Sequence, residues 1–433
     1  MVYFYKQYAD TFEESLRSAF DLAISHIYMS NFYRKPISDY GHHEAKYTAA
    51  KLIFGELFDD QDLLADGLTS LNLTLNRVQS VGMTEYGSLP WFWHWVQAYT
   101  AAWELTAIPE IKTTLAQLLD YLWNERSYYY LQGTWAGPHA RGLTHDIPRD
   151  GNVLLDYVQF GDFTLPTEMP RTEYAGFLFY EAPQAARQRA LDRAQPTEVT
   201  KLIPRRPHVE GAPLHSYVYI TENYAVGGMW ERIEEFDNEQ QRFDLTFPLN
   251  QGDGVNLAYF FHPVNGYQEA DPRHQSEFGE VLFHKQVVAA LYPLPDSAAN
   301  TIVGILPKGT WVQEGNALYG TYGSAYLAIY LMQAYELEEK EDRYVVTSEG
   351  SSNGVVIEVI GTKEATQRGI TNLDQFTATL RSRQPVFSSN ESLSVTYATL
   401  SDEVISLELP QHSLEQPVKK IQNQPVDFSR YIP

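Results

Sequence analysis

Ser216-Tyr217-Val218-Tyr219-Ile220-Thr221 alternates its side chains with the two-residue period of a β-strand and is built from aromatic and β-branched residues. It divides the chain. Upstream, the character changes near Pro196, and Lys201-Leu202-Ile203-Pro204-Arg205-Arg206-Pro207 is proline-rich and extended, which predicts a linker. Downstream, strand candidates follow at Phe243–Phe247, Val255–Phe261, Lys285–Tyr292, Thr301–Leu306, Ala325–Tyr330, Val355–Ile360, Ala378–Leu380 and Ser392–Thr399. Turn residues separate them at short intervals, as in an antiparallel sandwich. Only Leu373–Arg381 carries a helical rhythm there, and the polar tail after Pro410 is expected to pack loosely.

Before Pro196 the period is helical. Phe12, Leu16, Ala19, Phe20, Ala23, Ile24 and Ile27 recur at the spacing of one helix face. Ser38 or Asp39 is placed to cap a second helix running to Phe58, and Asp59-Asp60 to break the chain before a third, Leu63–Val81. Ser88-Leu89-Pro90 opens a helix over Trp91–Leu105, and Pro109 opens the next. Weaker helices are expected at Gly151–Phe160 and Ala182–Arg193. The short loops between the early helices predict antiparallel hairpins. The fold class is therefore α+β and multidomain: helical hairpins over residues 1–195, then an antiparallel β-sandwich over 196–433, with a ligand cleft expected between them.

Composition narrows the function. With a formal net charge of −23 the chain is unsuited to nucleic acid and to anionic membrane surfaces. The absence of Cys removes disulfides, thiolate metal sites and a Cys nucleophile. Met1-Val2-Tyr3-Phe4-Tyr5-Lys6 lacks the apolar core of a signal peptide, so a cytoplasmic chain, or a mature one with its signal removed, is expected. The 30 Tyr and 8 Trp point either to exposed rings in a groove or to a core rich in Tyr and Phe. No phosphate-binding loop, nucleophile elbow or zinc-protease motif is present.

Four stretches can carry chemistry. Gln132-Gly133-Thr134-Trp135-Ala136-Gly137-Pro138-His139-Ala140-Arg141, continuing to His145-Asp146-Ile147-Pro148-Arg149, gathers cations and an aromatic on one loop of an acidic chain. That set suits a sugar ring bearing a carboxylate or sulfate; loop hydrogen bonding is the plainer role for its histidines. His139 and His145 with Asp146 would need a further ligand to hold a metal, and His42-His43-Glu44 points its side chains to different helix faces. Neither metal nor cofactor is expected. The second stretch, Glu85-Tyr86-Gly87-Ser88-Leu89-Pro90-Trp91-Phe92-Trp93-His94-Trp95, puts Glu85 and Tyr86 on a loop and Trp91 at a helix mouth, where it could stack on a sugar. A helix cap with buried aromatics is the alternative. The third is Arg171-Thr172-Glu173-Tyr174. The fourth holds His215 and Tyr224, at the start of the sandwich and able to face the helices.

Helical hairpins, a Gly137-Pro138-His139-Ala140-Arg141 loop, and a sheet region opening with Tyr217-Val218-Tyr219-Ile220-Thr221-Glu222-Asn223-Tyr224-Ala225-Val226-Gly227-Gly228 resemble the toroid-plus-sandwich polysaccharide lyases. These are the chondroitin AC/hyaluronate lyases and the heparinase II/III-like group. Gly354–Ile360 followed by Asn372-Leu373-Asp374-Gln375-Phe376 is also similar to their sandwiches. The resemblance implies an incomplete α/α toroid, the helical part being short, and β-elimination on a uronic-acid-containing poly- or oligosaccharide. It assigns His139 as base or charge neutraliser, Arg141 as carboxylate clamp, Tyr174 or Tyr86 as acid/base and Glu85 as support. Trp91, Trp135, Arg149, His215 and Tyr224 would bind the glycan. Two other readings stay open: a glycoside hydrolase pairing Glu85 with Asp146, Asp150 or Glu173, and a sugar-binding protein without catalysis. Oligomeric state is not legible.

Overall fold

In the computed structural model, which describes residues 1–87, 89–139, 153–165, 180–232, 241–249, 254–264 and 275–433, the helical periodicity resolves into α1 (Val2–Tyr8), α2 (Glu14–Met29), α3 (His42–Leu57), α4 (Gln61–Val81), α5 (Leu89–Leu105), α6 (Pro109–Tyr128), α7 (Val153–Phe160) and α8 (Gln184–Leu191). The spacing of apolar residues sets what each helix buries. Leu63, Leu71, Leu75 and Val78 form the inner stripe of α4, and Ile111, Leu115, Leu118, Leu119 and Leu122 that of α6. Asp60 caps α4 as expected, its Oδ1 accepting from the Leu63 amide at 3.0 Å. α3 is capped differently. Gly41 is its N-cap, and Glu44 in the first turn reaches back to accept from the amides of Ser38 (2.7 Å) and Tyr40 (2.5 Å). A long carboxylate one turn in thus does what Ser38 or Asp39 was expected to do. The expected cap of α5, Ser88, lies outside the described residues.

A small hairpin follows α6: β1 (Tyr130–Leu131) and β2 (Thr134–Trp135), closed by Gln132 and Gly133, both at positive φ. Beyond α8 most of the described chain is built on antiparallel sheets. The first has eight strands: β3 (Thr197–Ile203), β4 (Leu214–Ile220), β5 (Ala225–Met229), β6 (Phe243–Thr246) and β7 (Leu257–Phe261) in sequence order from one edge, then Thr301–Leu306, Tyr344–Glu349 and Tyr335–Glu339. Six strands between Glu280 and Gly361 form the second sheet, and five between Val386 and Pro425 the third.

Strand alternation explains how the helical layer and the sheets join. On β4, Val218 and Ile220 face the helices and share a core with Leu115, Leu119, Trp123 and Trp135. Tyr217 faces the other way, into a core made with Val226, Phe243 and Leu245 of the same sheet, Val288, Leu327 and Ile357 of the second, and Val395 and Leu407 of the third. Helices come first and antiparallel sheets second, as the sequence predicts. Among the described residues no helix is long and apolar enough to cross a membrane.

Three expectations about elements are corrected. The supposed linker beginning at Lys201 is half strand: Thr197–Ile203 is the edge strand β3, paired along its length with β4. Lys201 itself reaches across to Glu125 of α6, tying sheet to helix. Ala378–Leu380 is helical, inside Leu373–Arg381, because Phe376, Thr377 and Leu380 fall on one buried face and Asn372 caps the turn from Gln375. The tail is not loose. Val418–Ile421 pairs with Ile405–Glu408, the Leu202 amide donates to Ile432 O at 2.7 Å, and Trp230 Nε1 donates to Tyr431 Oη at 2.5 Å.

Candidate functional site

The loop after β2 is seated by a buried ion pair. Arg126, near the end of α6, donates to the carbonyls of Tyr129 (2.6 Å) and Thr134 (2.9 Å), which fixes both sides of the β1–β2 hairpin. Its fork also grips Asp156 of α7, Nε to Oδ1 at 3.1 Å and Nη2 to Oδ2 at 2.7 Å, with both side chains fully buried. Burial pushes the Asp156 carboxyl up to about 6, against the pull of Arg126. Trp135 is held inside this frame, stacked on Tyr129 with ring centroids 5.3 Å apart and 8° between planes.

From Trp135 the chain drops onto the eight-stranded sheet, where two glycines permit a close approach. Gly137 is at φ +94°, and a Cβ there would stand 2.1 Å from Val218 Cγ2. A Cβ on Gly227 would stand 2.4 Å from Tyr217 O and 3.0 Å from Gly137 Cα. Gly227 is the register partner of Asp244 on β6, so both present to the same, helix-facing side. The loop therefore lays His139 directly on Asp244.

His139 Nδ1 lies 2.5 Å from Asp244 Oδ2 and 2.9 Å from Gly137 O. Both neighbours can only accept, so Nδ1 carries the hydrogen and Nε2 presents either a lone pair or, in the imidazolium, a second N–H. Asp244 is itself held: Thr246 Oγ1 donates to its Oδ1 at 2.6 Å, and Gln241 Nε2 approaches Oδ2 at 3.4 Å. The Gln241 amide also donates to His139 O at 2.9 Å. His139 is only 1% exposed, and its Nε2 and Gln241 Oε1 are buried atoms with no hydrogen-bond partner among the described residues. An imidazole with its orientation and tautomer fixed by a buried carboxylate, and its other nitrogen unengaged, is chemically equipped to take and return a proton. The sequence pointed to His139 but not to Asp244, Gln241 or Arg126. For Asp244 a signal existed: it is the one charged residue in Phe243-Asp244-Leu245-Thr246, an otherwise apolar-rich strand.

The other expected site residues divide. Arg141, Arg149 and Tyr174, with His145, Asp146, Asp150 and Glu173, lie outside the described residues. Glu85 is fully engaged: its Oε1 accepts from His42 Nδ1 at 2.7 Å, and its Oε2 from the His42 amide at 2.8 Å and Trp95 Nε1 at 2.7 Å. Trp91 is half-buried and lies parallel to the His42 ring at 5.8 Å. Four assignments are corrected by burial or strand parity. Tyr86 packs in an apolar cluster with Ile203, Leu214 and Met229. Trp135 is 5% exposed in the helical core and has no face for a sugar. Tyr224 is 1% exposed in the core between the sheets. His215 sits at an odd position of β4, opposite in parity to Val218 and Ile220, and so points away from the helices. Its Nδ1 lies 2.6 Å from Glu231 Oε1, and its ring contacts Phe428 and Tyr431.

One cavity lies in the seam between helices and sheet. Lined by Glu85, Trp91, Tyr129, Trp135 and Lys201, it leaves about 20 Å³ among the described residues. That is roughly room for one water and far too little for a sugar. No group of three or more His, Asp or Glu among the described residues is arranged to hold a metal ion.

No family model matches the chain, and no curated protein matches it. Among solved structures it is similar to a chondroitinase AC lyase determined in enzyme–oligosaccharide complexes, at 9% sequence identity and a TM-score of 0.41, over 94% of this chain and 75% of that one.

Proposed function

We propose that the protein is a carbon–oxygen lyase that cleaves a uronic-acid-containing polysaccharide by β-elimination, with His139 as the base. The observation that supports this is the His139–Asp244 pair: a fixed tautomer, a buried carboxylate behind it and an Nε2 with no partner among the described residues. In this reading residues 1–195 are an incomplete α/α toroid and 196–433 a β-sandwich domain.

The reaction asks three things of the protein. The Nε2 lone pair takes the proton from C5 of the uronate. The released electron pair forms the C4=C5 double bond as the bond from C4 to the glycosidic oxygen breaks, and that oxygen leaves with a proton from an acid. The imidazolium formed at His139 is stabilised by Asp244, whose charge acts strongly in a water-poor site. Arg141, two residues beyond His139, is assigned to the substrate carboxylate, because a planar guanidinium grips a carboxylate with two bonds. Tyr174 takes the acid role, Tyr86 being enclosed by apolar side chains. Because Nε2 is buried, catalysis requires that substrate gain access to it.

The test is a screen of uronate-containing polysaccharides for the ultraviolet absorbance of an unsaturated uronate. The wild type should generate it and His139→Asn should not. The asparagine amide can still donate to Asp244 but cannot take the proton. Chain cleavage without that absorbance would replace the lyase by a hydrolase, and an equally active His139→Asn would remove the base.

A further inference from the structure

A second imidazole–carboxylate pair, His42 with Glu85, lies on the helical layer. His42 and His43 open α3, with Lys46 a turn later, and this end of the helix packs against Trp91 and His94 of α5. The His42 ring is the hub: its centroid is 4.2 Å from that of His43, 5.4 Å from that of His94 and 5.8 Å from that of Trp91, the last two nearly parallel to it. Glu85 holds the hub through the His42 amide and Nδ1, so Nδ1 carries a hydrogen. His43 is exposed, and His42, Lys46, Trp91 and His94 are half-buried, so the group forms a face open to solvent.

The charge of this face is unusual for a chain of net charge −23. Three imidazoles and an ammonium converge on it. Of the nearby carboxylates, Glu85 sits within the group, bonded to His42 and Trp95 and attracting His43 and Lys46, while Glu44 is turned to the amides of Ser38, Asp39 and Tyr40. Asp39 is also 3.0 Å from His208. Partial desolvation lowers the affinity of His43 for its proton, and the neighbouring His42 and Lys46 lower it further against a weaker pull from Glu85. Burial likewise lowers Lys46. An arriving anion would reverse those penalties.

We propose that this face is a binding subsite for an acidic saccharide. The sugar ring lies against Trp91, and its carboxylate or sulfate is held by His43 and Lys46. The proposal rests on the reading of the protein as one that acts on an acidic glycan, and it adds His43 and Lys46 of α3 to the groups that hold that glycan.

Calorimetric titration with a glucuronate-containing hexasaccharide and with its carboxyl-reduced counterpart tests it, using His139→Asn so that nothing is cleaved. The acidic form should bind, more tightly at pH 5.5 than at pH 7.5, because the bound anion favours the charged imidazoles. His43→Ala/Lys46→Ala should weaken it about tenfold, the loss expected for removing charge-assisted contacts, and Trp91→Ala should weaken both forms. Equal binding of the two saccharides, unchanged binding by the double variant, or no binding at all would each overturn the subsite. If no polysaccharide yields an unsaturated product while the double variant still loses binding, the subsite stands and the lyase assignment falls.

Discussion

His139 and Asp244 meet across 105 positions of sequence. Replacing Asp244 by Asn keeps the volume and leaves an oxygen able to accept from Nδ1, but removes the charge that stabilises the imidazolium. Turnover should fall by about 10²- to 10⁴-fold, the range general acid–base assistance supplies, with KM little changed and the circular dichroism spectrum retained. A kcat within about twofold of wild type would make Asp244 a structural partner only. At this scale the sequence was half legible. His139 could be singled out because it sits among glycines, a proline and arginines in a short loop. Asp244 could not be linked to it, because a contact between a loop and a distant strand depends on sheet register, and no local pattern encodes register between segments so far apart. The aromatic residues misled for a related reason. Composition counts rings without showing that Trp135 and Tyr224 are enclosed.

Elements place the pair, and glycine is what lets them. The loop through Gly137 and the strand through Gly227 pack closely: a methyl on Gly137 would collide with the Val218 side chain, and one on Gly227 with main-chain atoms that cannot swing aside. Gly227→Ala places its Cβ 2.4 Å from a main-chain oxygen. It should cost about 1–3 kcal/mol in denaturant unfolding, as overpacking does, and reduce turnover further by lifting His139 off Asp244. Unchanged stability together with unchanged turnover would show that the loop is not seated there. The elements themselves were largely legible: helix stripes such as Leu63, Leu71 and Val78 and the alternation of β4 are local patterns. β3 was hidden because Pro204 and Pro207 coloured the reading of the residues before them, although Thr197–Ile203 is rich in β-branched side chains. The sheet pairing of the tail was hidden because its strands are short and polar and gain their order from neighbours already in place.

At the scale of the whole molecule, two buried carboxyl groups tie layers together and give stability a definite dependence on pH. Asp156 joins α7 to Arg126 and the hairpin. Glu358 joins the second sheet to the third, accepting from Tyr397 Oη at 2.5 Å and from the Leu400 amide at 2.8 Å. Burial raises the pKa of each, that of Asp156 to about 6. A carboxyl group whose pKa is higher in the folded than in the unfolded chain keeps its proton on folding in the window between the two values. The unfolded state then binds fewer protons, so stability decreases as pH climbs through that window. For Asp156 the window runs from about 4, the ordinary carboxyl value, to about 6; for Glu358 it begins at the ordinary glutamate value and extends upward. The net charge of −23 at neutral pH acts in the same direction, since self-repulsion among carboxylates grows as they ionise. Asp156 and Glu358 therefore lower Tm from about pH 5 to pH 7, against His43 and His262, whose lowered pKa values add stability as pH rises toward the ordinary imidazole value. Glu358→Gln isolates one contribution. Its amide oxygen can still accept from Leu400 and Tyr397, and it carries no charge to bury, so the variant should lose less Tm than wild type over that interval. Parallel Tm profiles for the two proteins would mean that Glu358 ionises in the folded chain as readily as in the unfolded one, and that the junction between the second and third sheets is wetter than its burial implies.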